Sequence, residues 1–139
     1  METQTNVKSI AGTNAEALLC ALATWGSTTT IILNGGCVFE FKGTFPKGSI
    51  AEGFYNLEGD FPGFHGHIRL EAICKIALQD KKHRNRESYA FDFQNDKSKS
   101  IFKVFIGRDA SGELISTQVD AFKRIQNNVN IYTLEAKTV

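Results

Sequence analysis

The stretch TTTIILNGGCVFEFK, Thr28–Lys42, decides how the rest of the chain is read. Thr28 to Leu33 is rich in β-branched residues, which pack well on a pleated surface. Asn34-Gly35-Gly36 follows, and a tight hairpin turn needs such residues because its central positions take positive φ. From Cys37 the chain alternates. Cys37, Phe39 and Phe41 fall on one face of a strand, with Glu40 and Lys42 on the other. The spacing predicts an antiparallel hairpin with an apolar face.

Further strand signals follow the hairpin. Pro46-Lys47-Gly48 marks a turn, Gly53–Leu57 a short strand and Glu58–Gly63 a loop. His65–Leu78 reads as one long strand, or as two joined by a bend near Glu71. Lys81–Glu87 is a basic loop. Tyr89–Phe93 alternates with Tyr89, Phe91 and Phe93 inward, Asn95-Asp96 turns, and Ile101–Ile106 is the last strand. Helices flank this set. Thr13 and Glu16 have capping-box spacing, and Ala15, Leu18, Leu19 and Leu22 lie on one side of a helix over Asn14–Thr24, stopped by Gly26. Leu114, Ala121, Phe122 and Ile125 form a stripe on a second helix over Glu113–Gln126.

The expected fold is α+β: a large antiparallel β-sheet of seven or so strands with an N-terminal and a C-terminal helix. Residues 1–12 read as a flexible leader and residues 13–139 as a single domain. No G-x-G-x-x-G or P-loop sequence is present, so nucleotide-binding parallel sheets are disfavoured.

The 139 residues suffice for one core, and a net charge of +1 gives no footprint for nucleic acid. Apolar runs such as Thr30–Leu33 fall far short of a membrane span, so no membrane insertion is expected. The first residues, METQTNVKSIAG, lack a signal-peptide pattern. Cys20, Cys37 and Cys74 are odd in number and far apart, which fits buried, reduced thiols in a cytoplasmic protein. The aromatic content (11 Phe against 2 Pro and 1 Met) is more than a small domain easily covers. A homodimer that closes a sheet edge or face is therefore expected.

The chemistry concentrates in GFHGHIRL, Gly63–Leu70. In a strand His65, His67 and Arg69 share a face, with steps of roughly 6.6 Å, while Ile68 and Leu70 turn to the core. An imidazole beside a guanidinium suits an acidic, metal-bearing planar ligand, with iron on the imidazole and carboxylates on the cation. From spacing alone the default reading is a solvated sheet face with incidental histidines. Two histidines on one face cannot clamp one iron from opposite sides, so at most one would be the proximal ligand. His83 lies in the basic run Lys81–Arg86, by default a solvated charge cluster and otherwise an attractor of acidic groups. Asp109 and Glu113 beside Arg108 read as a helix-start network, and Ser111 and Ser116 have no local base. Trp25 and Tyr55 read as core or interface. No residue set has the pattern of an enzyme.

Several ordered blocks carry a resemblance. They are Trp25-Gly26-x-x-Thr29-Thr30, Phe39-Glu40-Phe41-x-Gly43-x-x-Pro46-x-Gly48, Gly53-Phe54-Tyr55-Asn56-Leu57-x-Gly59 and Gly66-His67-Ile68. Ile76-Ala77-Leu78, Phe105-Ile106-Gly107-Arg108-Asp109 and Leu114-Ile115-Ser116-x-Gln118-Val119-x-Ala121-Phe122 continue the series. From about Trp25 to Ile125 the chain resembles the cytosolic heme-utilisation carriers of the HutX/ChuX kind. The resemblance implies a fold related to HemS-type proteins, a cytoplasmic homodimer and a non-enzymatic heme carrier. By the same resemblance, His67 is the heme-binding histidine that meets iron, Arg69 is its basic neighbour and His65 is a substitute ligand. Relatives often carry a second histidine where this chain has Leu33, and usually an additional N-terminal helical segment. Heme or tetrapyrrole degradation of the HemS type is the enzymatic alternative. A dimeric domain that has lost heme and takes another small acidic ligand is a third.

Overall fold

In a computed structural model of the chain, which describes residues 7–59 and 63–129 apart from the His83 side chain, the opening hairpin forms where the sequence places it. Strands β2 (Ser27–Asn34) and β3 (Cys37–Thr44) pair antiparallel, with Asn34 opposite Cys37. Gly35 and Gly36, at φ of 59° and 90°, make the turn, a backbone that other residues adopt with strain.

Around this hairpin the described chain forms β1 (Lys8–Ala11), α1 (Ala15–Leu22), β4 (Gly48–Ala51), β5 (Phe54–Leu57) and β6 (Gly66–Ile68). It continues with β7 (Lys75–His83), β8 (Arg86–Gln94), β9 (Ser100–Ile106) and α2 (Ser116–Gln126). The strands sort into two sheets. A six-stranded antiparallel sheet has the order β1-β7-β8-β9-β2-β3, and a three-stranded one the order β4-β5-β6. The α+β expectation holds, but as two sheets.

Cross-strand register explains the core. Ile76 faces Phe93, Leu78 faces Phe91, Phe93 faces Phe102, Phe91 faces Val104, and Thr30 faces both Val104 and Phe41. Directly opposed residues share a face, so these side chains form one continuous apolar surface. Leu18, Leu19 and Leu22 of α1, Phe122 of α2 and Tyr55 and Leu57 of the small sheet join them in a single buried cluster. Phe122 meets the rings of Phe91 and Tyr89 at 5.0 and 5.2 Å, and Trp25 sets its edge on Phe91 at 5.7 Å. Full burial of each such side chain stabilises the fold by about 1.5–3 kcal/mol.

A buried amide joins the two ends of the fold. Gln118, on α2, accepts from the Gly107 amide at 2.7 Å and donates to the carbonyls of Trp25 and Ser27 at 3.0 and 2.8 Å. Each polar atom of its head group is thus partnered inside the protein, which offsets the desolvation of a buried amide.

Several expectations are corrected. The leader read over residues 1–12 ends earlier, because Lys8–Ala11 pairs with β7 and Ile10, opposite Ile76, is 3% exposed. Residues 1–6 lie outside the described residues. The segment His65–Leu78 is not one strand: a 3-10 turn at Leu70–Ala72 separates β6 in the small sheet from β7 in the large one. The basic loop Lys81–Glu87 is instead the end of the β7–β8 hairpin, paired as far as His83–Arg86 and turning on Arg84 and Asn85 at φ of 55° and 65°. Thr13 lies in a 3-10 turn, Gly12–Asn14, ahead of α1. The second helix starts at Ser116, since Leu114 is held in a bridge to Arg108. All three cysteines are exposed.

Candidate functional site

The site grows from the pairing of β5 with β6, in which Tyr55 faces Ile68, Asn56 faces His67 and Leu57 faces Gly66. Alternation then divides the side chains. Tyr55 and Leu57 are buried and Ile68 packs on the core, while Phe54, Asn56 and His67 share the opposite face. His67 is exposed there, and its Nδ1 lies 2.6 Å from Asn56 Oδ1. Asn56 Nδ2 points the other way, toward the carbonyls of Ala51, Phe54 and Ser49 at 3.1, 3.3 and 3.4 Å. Phe54 gathers the rest. Its ring takes the His67 ring edge-on at 6.1 Å and the Arg69 guanidinium at 5.0 Å. Such a cation–ring contact at an exposed site contributes about 0.5–1 kcal/mol. Arg69 also approaches Glu71 at 3.9 Å, with side chains 57% and 83% exposed, a pairing that holds little by itself.

Beside this cluster a cavity of about 390 Å³ opens between the small sheet and the core face of β2, β3 and β9. The segment Gly63–Arg69, carrying His65, His67 and Arg69, forms one side, and the rest is mostly apolar, including Ile32, Phe41, Phe45 and Phe102. Phe64 fastens that segment to the large sheet, stacked on Phe41 at 4.7 Å and edge-on to Phe45 at 5.8 Å. A register shift near Phe93 and Gln94 leaves Ile101 unpaired on β9, and Ile101 also lines the cavity. Thr30, 3% exposed, also lines the cavity, and its hydroxyl has no hydrogen-bond partner among the described residues. A buried polar atom left unpaired is costly.

His65, His67 and Arg69 all line the cavity, but of the three only His67 lies in the short strand β6, and it is Arg69, not His65, that meets it over the Phe54 ring. Leu33 does not join them: its neighbours Ile32 and Thr30 line the cavity while Leu33 points to the opposite face of β2 and is 49% exposed. Among the described residues no three His, Cys, Asp or Glu side chains cluster as a metal site. Asn56, Phe54, Phe64 and Thr30 were missed by sequence reasoning. Asparagine inside a strand pattern is unusual, and that was the available signal for Asn56. Elsewhere, hydrogen bonds from Ser111 and from the Glu113 amide hold the Asp109 carboxyl below the usual carboxylate range, which makes it a turn-former. In the basic hairpin, Arg86 donates to the Gly112 carbonyl at 2.6 Å, a bond that ties it to a neighbouring loop.

No helix among the described residues is long and apolar enough to cross a membrane. A profile of the family described as "Haem utilisation ChuX/HutX" matches residues 8–125. The chain is 44% identical over 115 residues to the intracellular heme transport protein HutX of Vibrio cholerae serotype O1, a match covering 83% of this chain and 60% of that protein. It therefore spans about 60% of the length of that curated relative. Its fold superimposes on a crystal structure of a protein from Erwinia carotovora with a TM-score of 0.82 at 32% identity, covering 88% of this chain and 76% of the other. The heme-binding protein ChuX superimposes with a TM-score of 0.81 at 28% identity, covering 90% and 78%.

Proposed function

The chain belongs to the haem utilisation ChuX/HutX family, and on that premise we propose that it is an intracellular, non-enzymatic heme carrier in which His67 supplies the one protein ligand to iron. The observation that carries this reading is the apolar cavity of about 390 Å³ with His67 and Arg69 on the segment forming its side. Heme is a flat apolar ring with two carboxylates, and when bound it supplies an iron that accepts an imidazole nitrogen. The residues present fit such a group. Ile32, Phe41, Phe45 and Phe102 offer apolar surface, and the Arg69 cation stands on the same segment as His67. His67 would hold the iron and Arg69 a carboxylate, with His65 as the substitute imidazole. The names of the relatives, an intracellular heme transport protein and a heme-binding protein, support the same reading.

The carrier is further proposed to work as a homodimer. The outer face of the large sheet supports this. Among the described residues no element covers it; it presents Ile31, Phe105, Val38 and Leu33 at least partly to solvent and holds a buried Asp92 carboxylate oxygen with no partner among those residues. A second copy stacked on that face would cover the apolar strip.

Titration of the purified protein with hemin tests the carrier reading. A saturable Soret shift in the wild type, and loss of that spectrum in His67→Ala, are expected. An unchanged shift in His67→Ala would sink the assignment of the ligand, and no shift in the wild type would sink the carrier itself.

A further inference from the structure

We propose that Asn56 is a positioning residue that fixes the neutral His67 imidazole with its proton on Nδ1, so that Nε2 is left as the basic nitrogen. The inference follows from an atom-by-atom account of one amide. Asn56 Nδ2 faces the carbonyl oxygens of Ala51, Phe54 and Ser49 at 3.1–3.4 Å. Turning the amide over would set Oδ1 against these same carbonyls, acceptor against acceptors. Its orientation is therefore dictated by chemistry, and Oδ1 must be the atom that faces His67.

That oxygen can only accept. At 2.6 Å from His67 Nδ1 it requires a proton on the ring nitrogen, because the other neutral tautomer would oppose two lone pairs. The Nδ1-protonated tautomer follows, and the unprotonated lone pair sits on Nε2. The fold maintains the arrangement. Asn56 and His67 are directly paired residues of β5 and β6, and the amide bridges back to Ser49 and Ala51 of β4, so one side chain spans the three-stranded sheet. Phe54 restrains the ring from a third side, edge-on at 6.1 Å. An exposed imidazole that would otherwise exchange between tautomers is thereby held in one, with its donor nitrogen for a metal chosen in advance. The tautomer assignment stands on geometry alone, while the use of Nε2 as an iron ligand rests on the carrier reading above.

The experiment uses the full chain labelled with ¹⁵N at histidine, without hemin, and reads each ring nitrogen by long-range ¹H–¹⁵N correlation. For neutral His67 the expected result is a protonated, pyrrole-like Nδ1 and an unprotonated, pyridine-like Nε2. Asn56→Leu should move the proton to Nε2 or leave a mixture. Asn56→Asp, which keeps an acceptor oxygen, should restore the Nδ1 proton. A wild-type spectrum with the proton on Nε2 overturns the proposal, and this outcome needs no variant to fold. An unchanged pattern in a folded Asn56→Leu also overturns it. Hemin titration adds a second readout: Asn56→Leu should weaken binding about 10-fold or more, and should have no further effect in the His67→Ala background. Because the tautomer is read without hemin, a wild type that binds no hemin would overturn the carrier reading while the nitrogen shifts still decide the role of Asn56.

Discussion

The two sheets divide the labour of this small protein. In the six-stranded sheet, β8 runs Tyr89-Ala90-Phe91-Asp92-Phe93 with all five residues buried, and its stability comes from rings packed on rings. The three-stranded sheet has strands of only four, four and three residues, too short to persist by themselves. It borrows its stability through Tyr55 and Leu57, which sink into the shared core, and this frees Phe54, Asn56 and His67 for other use. Rigid, apolar scaffolding lies on one side, and a polar, exposed, exactingly hydrogen-bonded cluster stands on the other.

Perturbing each sheet tests whether that division is real. The largest effect on stability is expected from Phe91→Ala, which empties a fully buried site touching Trp25 and Phe122 and should cost about 3–5 kcal/mol in a denaturant melt. The comparison survives if the folded fraction still binds hemin as tightly as the wild type. It breaks if affinity per folded molecule falls with stability. Next is Gln118→Leu, which leaves the Gly107 amide and the Trp25 and Ser27 carbonyls without their partner and should cost roughly 2–4 kcal/mol, again with hemin affinity retained.

The small sheet should show the reverse. Arg69→Ala is expected to leave the melt nearly unchanged while lowering hemin affinity about 5-fold, equivalent to ~1 kcal/mol for one exposed charge pair, and to flatten its salt dependence. Equal affinity across a salt series would remove Arg69 from the site. Smallest of all is Glu71→Ala: its contact with Arg69 is long and open to solvent, so a stability change beyond about 0.5 kcal/mol would show that the rim carries more of the fold than proposed.

Much of the scaffold was legible because its signals are local. The Asn34-Gly35-Gly36 turn, the alternation of Tyr89, Phe91 and Phe93, and the apolar stripes of both helices each need only neighbours in sequence to be read. The failures have a common cause. A strand at Lys8–Ala11 was hidden because only pairing with β7 makes so short a polar-flanked segment a strand. The run His65–Leu78 looked continuous because period-two alternation does not say which sheet a residue joins. The basic residues Lys81–Arg86 looked like a loop because charged side chains on an exposed hairpin give no apolar period to detect.

The site divides in the same way. Residue type and a two-residue step raised His65, His67 and Arg69 as candidates, but by themselves these fit a solvated sheet face equally well or better, and it was the resemblance that singled out His67. What only the tertiary structure decided is what surrounds them: Asn56 across the sheet, Phe54 beneath both groups, Thr30 among the residues lining the cavity, and Leu33 turned to the other face of its strand. Sequence determines the period of each strand because side-chain direction is set by the local backbone. Partners across strands are set by which faces can be buried together, a property of the whole chain and of none of its segments alone.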